Sequence, residues 1–269
     1  AAIDSISIRD ANPIFGMNAL GGSMIVATKT GRSAPGASLE AAFGDHGRGE
    51  ASGSVGWSMG NFSGFVAGQA RRDDGWRDFS PSTLYNGLAD FGWDTDTGGV
   101  HVKLVGADTD LTGNGTAPVE LLDADYSAVF THPDNTQNRF VRGSVHPWIA
   151  VGDAGRIEAT LYAQSFRQRT LNGDAADIEA CSADATLLCV SDASDNEAVL
   201  RDALGAAIAD TLGGEGYGAL NRSRTKTRSA GVLAQYVTER NLAGMAHNIA
   251  IGFSHDRSTT RFAASSELG

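Results

Sequence analysis

Arg71, Arg72, Trp76 and Arg77 place fixed positive charge beside an indole face within one short stretch, and Tyr85 follows closely. His132 and the pair Arg167 and Arg169 stand further along, each near another long polar segment. Guanidinium groups hold carboxylates or phosphates through paired N–H donors, and aromatic rings add stacking and cation–π attraction. Such a set suits the binding of an anionic chelate or a sugar rather than the breaking of bonds. The chain has 6 histidines, at 46, 101, 132, 146, 247 and 255, scattered without metal-ligand spacing. Asp94 and Asp96 sit beside glycines as in a calcium loop, but no acidic residue closes that loop, so a plain turn is expected. Ser, Asp and His are plentiful and no spacing singles out a catalytic triad. No catalytic residue, metal or cofactor is therefore expected. Cys181 and Cys189 lie close together in an acidic segment. They are either a local disulfide, which fits an oxidising envelope, or two free thiols.

These residues need elements to position them. The chain of 269 residues carries a formal net charge of −11, which argues against a nucleic-acid partner. It contains no run of about 18 apolar residues, so no membrane-spanning helix is expected. Acid is concentrated at 174–215, where Arg201 is the only base, and this stretch reads as a solvated loop.

Two-residue alternation of apolar and polar side chains marks nine strands, near 37–44, 50–57, 62–71, 85–93, 99–107, 139–149, 156–167, 225–237 and 248–255. The segment at 156–167 is the clearest. Ile157, Ala159, Leu161 and Ala163 share one face, and Glu158, Thr160, Tyr162 and Gln164 share the other. The faces of 62–71 are ambiguous. A water-soluble sandwich turns the apolar set inward, whereas a large membrane barrel turns it out to lipid. Alternation alone does not separate the two.

Turn spacing does. Trp57, Trp93, Trp148 and Tyr236 each precede a short polar turn, while long connections run at 72–84, 108–138 and 168–223. Short turns at one end, long loops at the other and aromatic rings at the short-turn end describe an outer-membrane barrel, because Trp and Tyr join an apolar body to a polar edge. An odd number of strands does not close a bacterial barrel, so further strands are expected beyond Gly269. Inside the longest loop, Ser194 and Glu197 form a capping-box pattern ahead of an apolar stripe at Ala198, Val199, Ala203, Leu204, Ala207 and Ile208, which reads as a helix ended by Gly213 and Gly214.

The N-terminal segment then gains meaning. An alternating strand, Ile3 to Arg9, precedes Asn12, Pro13, Phe15, Gly16, Asn18, Ala19, Gly21, Gly22, Ile25, Thr28, Lys29 and Gly31. In that order these residues resemble the end of the plug domain of TonB-dependent outer-membrane receptors. Arg9-Asp10 stands where the family has Arg-Gly, and Val26 replaces its usual Asn. Residues 64–78 resemble the family's third strand and second extracellular loop. The resemblance implies an all-β fold: a transmembrane antiparallel β-barrel, here incomplete at about nine of its 22 strands, preceded by the C-terminal segment of a plug. Residues 1–32 belong to the plug and 36–269 to the barrel. It further implies active uptake of a scarce nutrient (a ferric siderophore or similar chelate, cobalamin or an oligosaccharide) across a Gram-negative outer membrane. TonB is the expected partner, through a segment outside this chain. Outer-membrane lipid and lipopolysaccharide surround a monomeric barrel, and the nutrient meets the extracellular mouths near Arg71, Arg72, Trp76, Arg77 and Tyr85 and near His132, Arg167 and Arg169. A passive porin and a soluble secreted β-sandwich are the rival readings.

Overall fold

The computed structural model describes residues 2–9, 23–191, 196–213, 216–242 and 245–269. The motif residues Asn12, Pro13, Phe15, Gly16, Asn18, Ala19, Gly21 and Gly22 lie outside these, as does Ser194.

Strands β1 (Ile3–Arg9) and β2 (Ser23–Thr28) form an antiparallel pair. The main sheet comprises β3 (Gly36–Phe43), β4 (Gly49–Met59), β5 (Phe62–Asp73), β6 (Ser82–Asp94), β7 (Gly98–Thr112), β8 (Asp134–Val151), β9 (Gly155–Ala175), β13 (Gly218–Leu242) and β14 (Met245–Leu268). Helix α1 (Val119–Ala124) lies between β7 and β8. A small sheet of β10 (Glu179–Ala180), β11 (Leu188–Ser191) and β12 (Glu197–Val199) lies between β9 and β13. The nine-stranded sheet is an unbroken antiparallel meander with β3 and β14 at its edges.

Its outer face is apolar without being covered. Leu161, Ile251 and Phe253 are 46 %, 67 % and 63 % exposed, so they do not fill a dry interior between two sheets. In register with them run Val55, Val66, Phe91, Val102, Leu104, Val141 and Val145. The apolar band covers four or five outward positions per strand. That matches the roughly 9–11 residues that a tilted strand needs to cross hydrocarbon. Trp57, Phe91 and Trp93 lie on this face near the short turns, with Trp57 and Phe91 edge to face at 6.2 Å. Tyr236 shares the face of Ile157 and Ile251.

Trp148 does not join them. It is in phase with His146 and points inward, where its indole N–H donates to Asp94 Oδ1 at 2.9 Å. The expected belt position is corrected by the strand's own period: Val145, Pro147 and Ile149 hold the outer side.

The ambiguous strand β5 is resolved. Phe62 and Val66 face out, while Phe65 and Ala67 face in and are buried with Leu88. Ala2, Ala34 and Val105 pack on that cluster. Both faces of β5 are apolar because the N-terminal segment covers the inner one, which erases the alternation.

Two further expectations change. The strands outrun their apolar cores, so the long connections shrink to 74–81, 113–133 and 176–217. The stretch after Glu197 is not helical. It forms β12 and then a tight turn in which Asp202 Oδ1 accepts from the N–H groups of Leu204 and Ala206. Leu200 N–H donates to Leu188 O at 2.8 Å and Ile208 N–H to Leu200 O at 3.0 Å, so sheet pairing takes up the donors that a helix would use. Cys181 and Cys189 are disulfide-bonded here, with Leu188 fully buried beside them.

Candidate functional site

Two polar regions line the inner face, one at each end. At the long-loop end, the turn between β3 and β4, the loop after β5 and the start of the loop after β7 surround a cavity of about 650 Å³. His46, Arg48, Arg71, Asp73, Trp76 and Leu84 are among the residues that line it. The loops hold each other. Asp74 N–H donates to His46 O, and Asp78 N–H donates to Ser127 O, both at 3.0 Å. Gly75, at φ +75°, lets the chain reverse so that its N–H reaches Asp73 Oδ1 at 3.0 Å. Arg71 is held at 3.2 Å from Asp73. Trp76 stacks on Tyr126 at 4.9 Å between ring centres, and the Arg77 guanidinium lies 4.8 Å over the Trp76 ring. His132 packs against Phe79 at 4.5 Å. On α1's terminal turn the Asp125 carboxylate accepts from Ser127 Oγ and N–H, which holds its pKa below the usual carboxylate value.

The sequence candidates divide accordingly. Arg71 and Trp76 meet at the cavity, with Arg77 on the Trp76 ring. Arg72 and Tyr85 face outward with Val66 and Phe91, and Arg72 pairs with Asp74 at 2.9 Å. Arg167 and Arg169 also face outward, in phase with Leu161. None of these four enters the mouth, because each occupies the odd or even position that its strand turns to the outside. His46, Arg48 and Tyr126 were not singled out from the sequence. The first two sit in a short turn that looks like a plain connection, and the third in a loop without a period.

At the short-turn end, acids and bases crowd the inner wall. Asp90 is 1 % exposed. The two ring nitrogens of His101 lie 2.8 Å from Asp90 Oδ1 and 3.0 Å from Asp94 Oδ2. Lys103 Nζ approaches Asp90 at 3.6 Å and donates to Thr28 Oγ1 at 2.6 Å. Arg32 reaches Asp94 at 3.6 Å and donates to Gly60 O at 2.9 Å. The Arg156 guanidinium covers the Trp148 ring at 4.2 Å. Backbone approach is equally close. A methyl group on Gly31 would overlap the main chain of Trp57 and Gly64, and one on Gly56 would overlap Ala34 O. Thr28 and Gly31 of the sequence motif are thus seated on the wall, and Lys29 N–H donates to Ala2 O at 2.9 Å within the N-terminal segment. The whole arrangement is one of clasping; on the same wall Ser144 Oγ lies 2.8 Å from His146 Nε2, whose other ring nitrogen lies 3.0 Å from Thr160 Oγ1.

The chain is thus an antiparallel meander, apolar on one face, with an N-terminal segment clasped to the other. No protein-family model matches the chain, nor does any curated protein sequence. Solved structures do. The ferric citrate transporter FecA in its unliganded form superposes with a TM-score of 0.71 at 11 % identity, covering 99 % of this chain and 36 % of that one. FpvA of P. aeruginosa bound to a heterologous pyoverdine gives 0.71 at 11 % identity, over 98 % and 33 %. BauA of Acinetobacter baumannii, the ferric preacinetobactin receptor, gives 0.67 at 10 % identity, over 98 % and 37 %. The chain has the fold of the TonB-dependent outer-membrane receptors. It spans about a third of the length of these three receptors. The nine-stranded sheet is not closed, as fits a part of such a barrel.

Proposed function

We propose that this chain supplies the plug's last segment (1–32) and the first part of the barrel (36–269) of a receptor that takes up a ferric siderophore or similar chelate across the Gram-negative outer membrane. The observation that carries the reading is the segment ending at Gly31, seated against an inner wall whose outer face is greasy. A passive pore has no use for such a clasp. On this reading the long-loop end faces the medium and the short turns face the periplasm. The chelate enters the cavity near Arg71 and Trp76, where charge and stacking suit an anionic, aromatic-rich ligand. TonB pulls on a segment outside this chain, and the clasp at Thr28, Arg32, Lys103 and Asp94 yields. The protein is read as a transporter and not an enzyme, which the transporters and receptors among the similar structures support. The similar structures FecA and BauA transport or receive ferric ligands, which favours a chelate over cobalamin or an oligosaccharide.

The test is uptake of radioactive iron from a panel of ferric siderophores by cells whose own receptors are deleted and which carry the complete receptor. Accumulation should require both TonB and the proton gradient. Accumulation that persists after loss of either points to passive entry and defeats the reading.

A further inference from the structure

Two loops meet beside the cavity at the long-loop end, and three contacts join them. The Trp76 ring stacks on Tyr126 at 4.9 Å, with 24° between the planes. Asp78 N–H donates to Ser127 O at 3.0 Å, and Phe79 packs on the His132 ring at 4.5 Å. Phe79 holds a φ of +51°, a backbone that a bulky side chain adopts only where its surroundings impose it. The loop at 74–81 is therefore held in one shape by the loop at 113–133. The turn that carries Tyr126 is itself fixed, since Asp125 accepts from Ser127 N–H at 2.9 Å and from Ser127 Oγ at 2.7 Å. Trp76 lines the cavity, whereas Tyr126 does not. Tyr126 is 72 % exposed, so its ring is not there to fill a core. An exposed ring in a fixed turn, laid against an indole, restricts that indole to one orientation.

We propose that Tyr126 is a positioning residue for ligand binding, fixing the plane in which Trp76 meets an anionic chelate that bears aromatic rings. An unsupported indole on a loop samples several rotamers, and a ligand that needs one of them loses affinity in selecting it. Stacking on Tyr126 makes that selection before the ligand arrives. The Arg77 guanidinium, 4.8 Å over the same ring, adds a second restraint. The strength of an aromatic pair sets the size of the effect at about two- to tenfold in affinity. Tyr126's effect on affinity rests on the chelate reading above, whereas its hold on Trp76 exists in the free receptor.

The test uses the complete receptor in detergent micelles, labelled with fluorinated tryptophan. The fluorine resonance of Trp76 is the one absent from Trp76→Phe. Without ligand it should move or broaden in Tyr126→Ala and stay in place in Tyr126→Phe. Affinity is then measured with the ferric tris-catecholate ion. Tyr126→Ala should bind it about two- to tenfold more weakly, and Tyr126→Phe as tightly as wild type. In a Trp76→Ala background Tyr126→Ala should cost nothing further, because Tyr126 acts through Trp76. An unmoved Trp76 resonance in Tyr126→Ala overturns the inference, as does unchanged affinity there. A loss of equal size with and without Trp76 also overturns it, by making Tyr126 a direct ligand contact. So does an equal loss in Tyr126→Phe, which would assign the effect to the hydroxyl and not the ring. If the wild type binds no ferric chelate, the chelate reading fails, and the fluorine resonance still decides whether Tyr126 holds Trp76.

Discussion

The Lys103 ammonium donates to Thr28 Oγ1 at 2.6 Å, joining two residues 75 positions apart. One belongs to the wall and the other to the N-terminal segment. Lys103 also approaches the buried Asp90, so its charge is held while its proton is shared with the clasp. Replacing it with Met should loosen the segment. Hydrogen bonds to charged groups contribute about 1.5–3 kcal/mol, so amide exchange in β2 should quicken by about tenfold or more. Unchanged exchange would show that Lys103 does not hold the segment.

The Gly56 site is tight on steric grounds. A side chain there meets Ala34 O and the Phe65 ring, so Gly56→Val should cost about 1–3 kcal/mol in unfolding from detergent micelles. Gly152, in an open turn with nothing near it, should tolerate serine with a far smaller change, apart from the cost of its positive φ.

Cavity residues should separate from their neighbours on the strand. Arg71→Ala and Trp76→Ala should each weaken binding of a ferric chelate by about tenfold or more, measured by competition on the complete receptor. Arg72→Ala should change it little, since that side chain faces outward and is paired with Asp74. Equal loss for Arg71 and Arg72 would mean that the strand's phase does not decide ligand contact.

The small sheet in the longest loop should be sensitive to acid. Ser182 N–H donates to the Glu197 carboxylate at 2.9 Å, and its hydroxyl donates as well, which lowers the Glu197 pKa below its ordinary 4.5. A lowered carboxylate pKa gives stability that is fully present above 4.5 and is lost as pH falls through the folded value. Proteolytic nicking near Cys181 should therefore rise with falling pH below 4.5 in the wild type. In Glu197→Gln it should be higher at neutral pH and vary less over that acid range.

The strand cores were legible because one face must be greasy and the other wet, and Leu161 beside Tyr162 shows that contrast directly. Strand ends were not. Beyond the apolar band the two faces no longer contrast, so Asp134 and Ala175 carry no period that separates strand from loop. Phe65 hid its direction because the N-terminal segment makes the inner wall apolar there as well. Trp148 stands before a short turn as the outward aromatics do, but its phase with His146 turns it inward to Asp94. The same phase separates Arg71 from Arg72. The stripe from Ala198 to Ile208 mimics a helix, but pairing with Leu188 overrides local preference. The meeting of Lys103 with Thr28 leaves no sequence signal, since it depends on how the segment docks.

Spin-label accessibility on the complete receptor in lipid nanodiscs measures the central claim, that the greasy face meets acyl chains and the wet face meets a plugged lumen. A label at Leu161→Cys should relax with dissolved oxygen and ignore an aqueous nickel chelate. A label at Gln164→Cys, on the opposite face of β9, should show the reverse preference. Protection of the Leu161 label from both reagents, as in a dry core between two sheets, would contradict it.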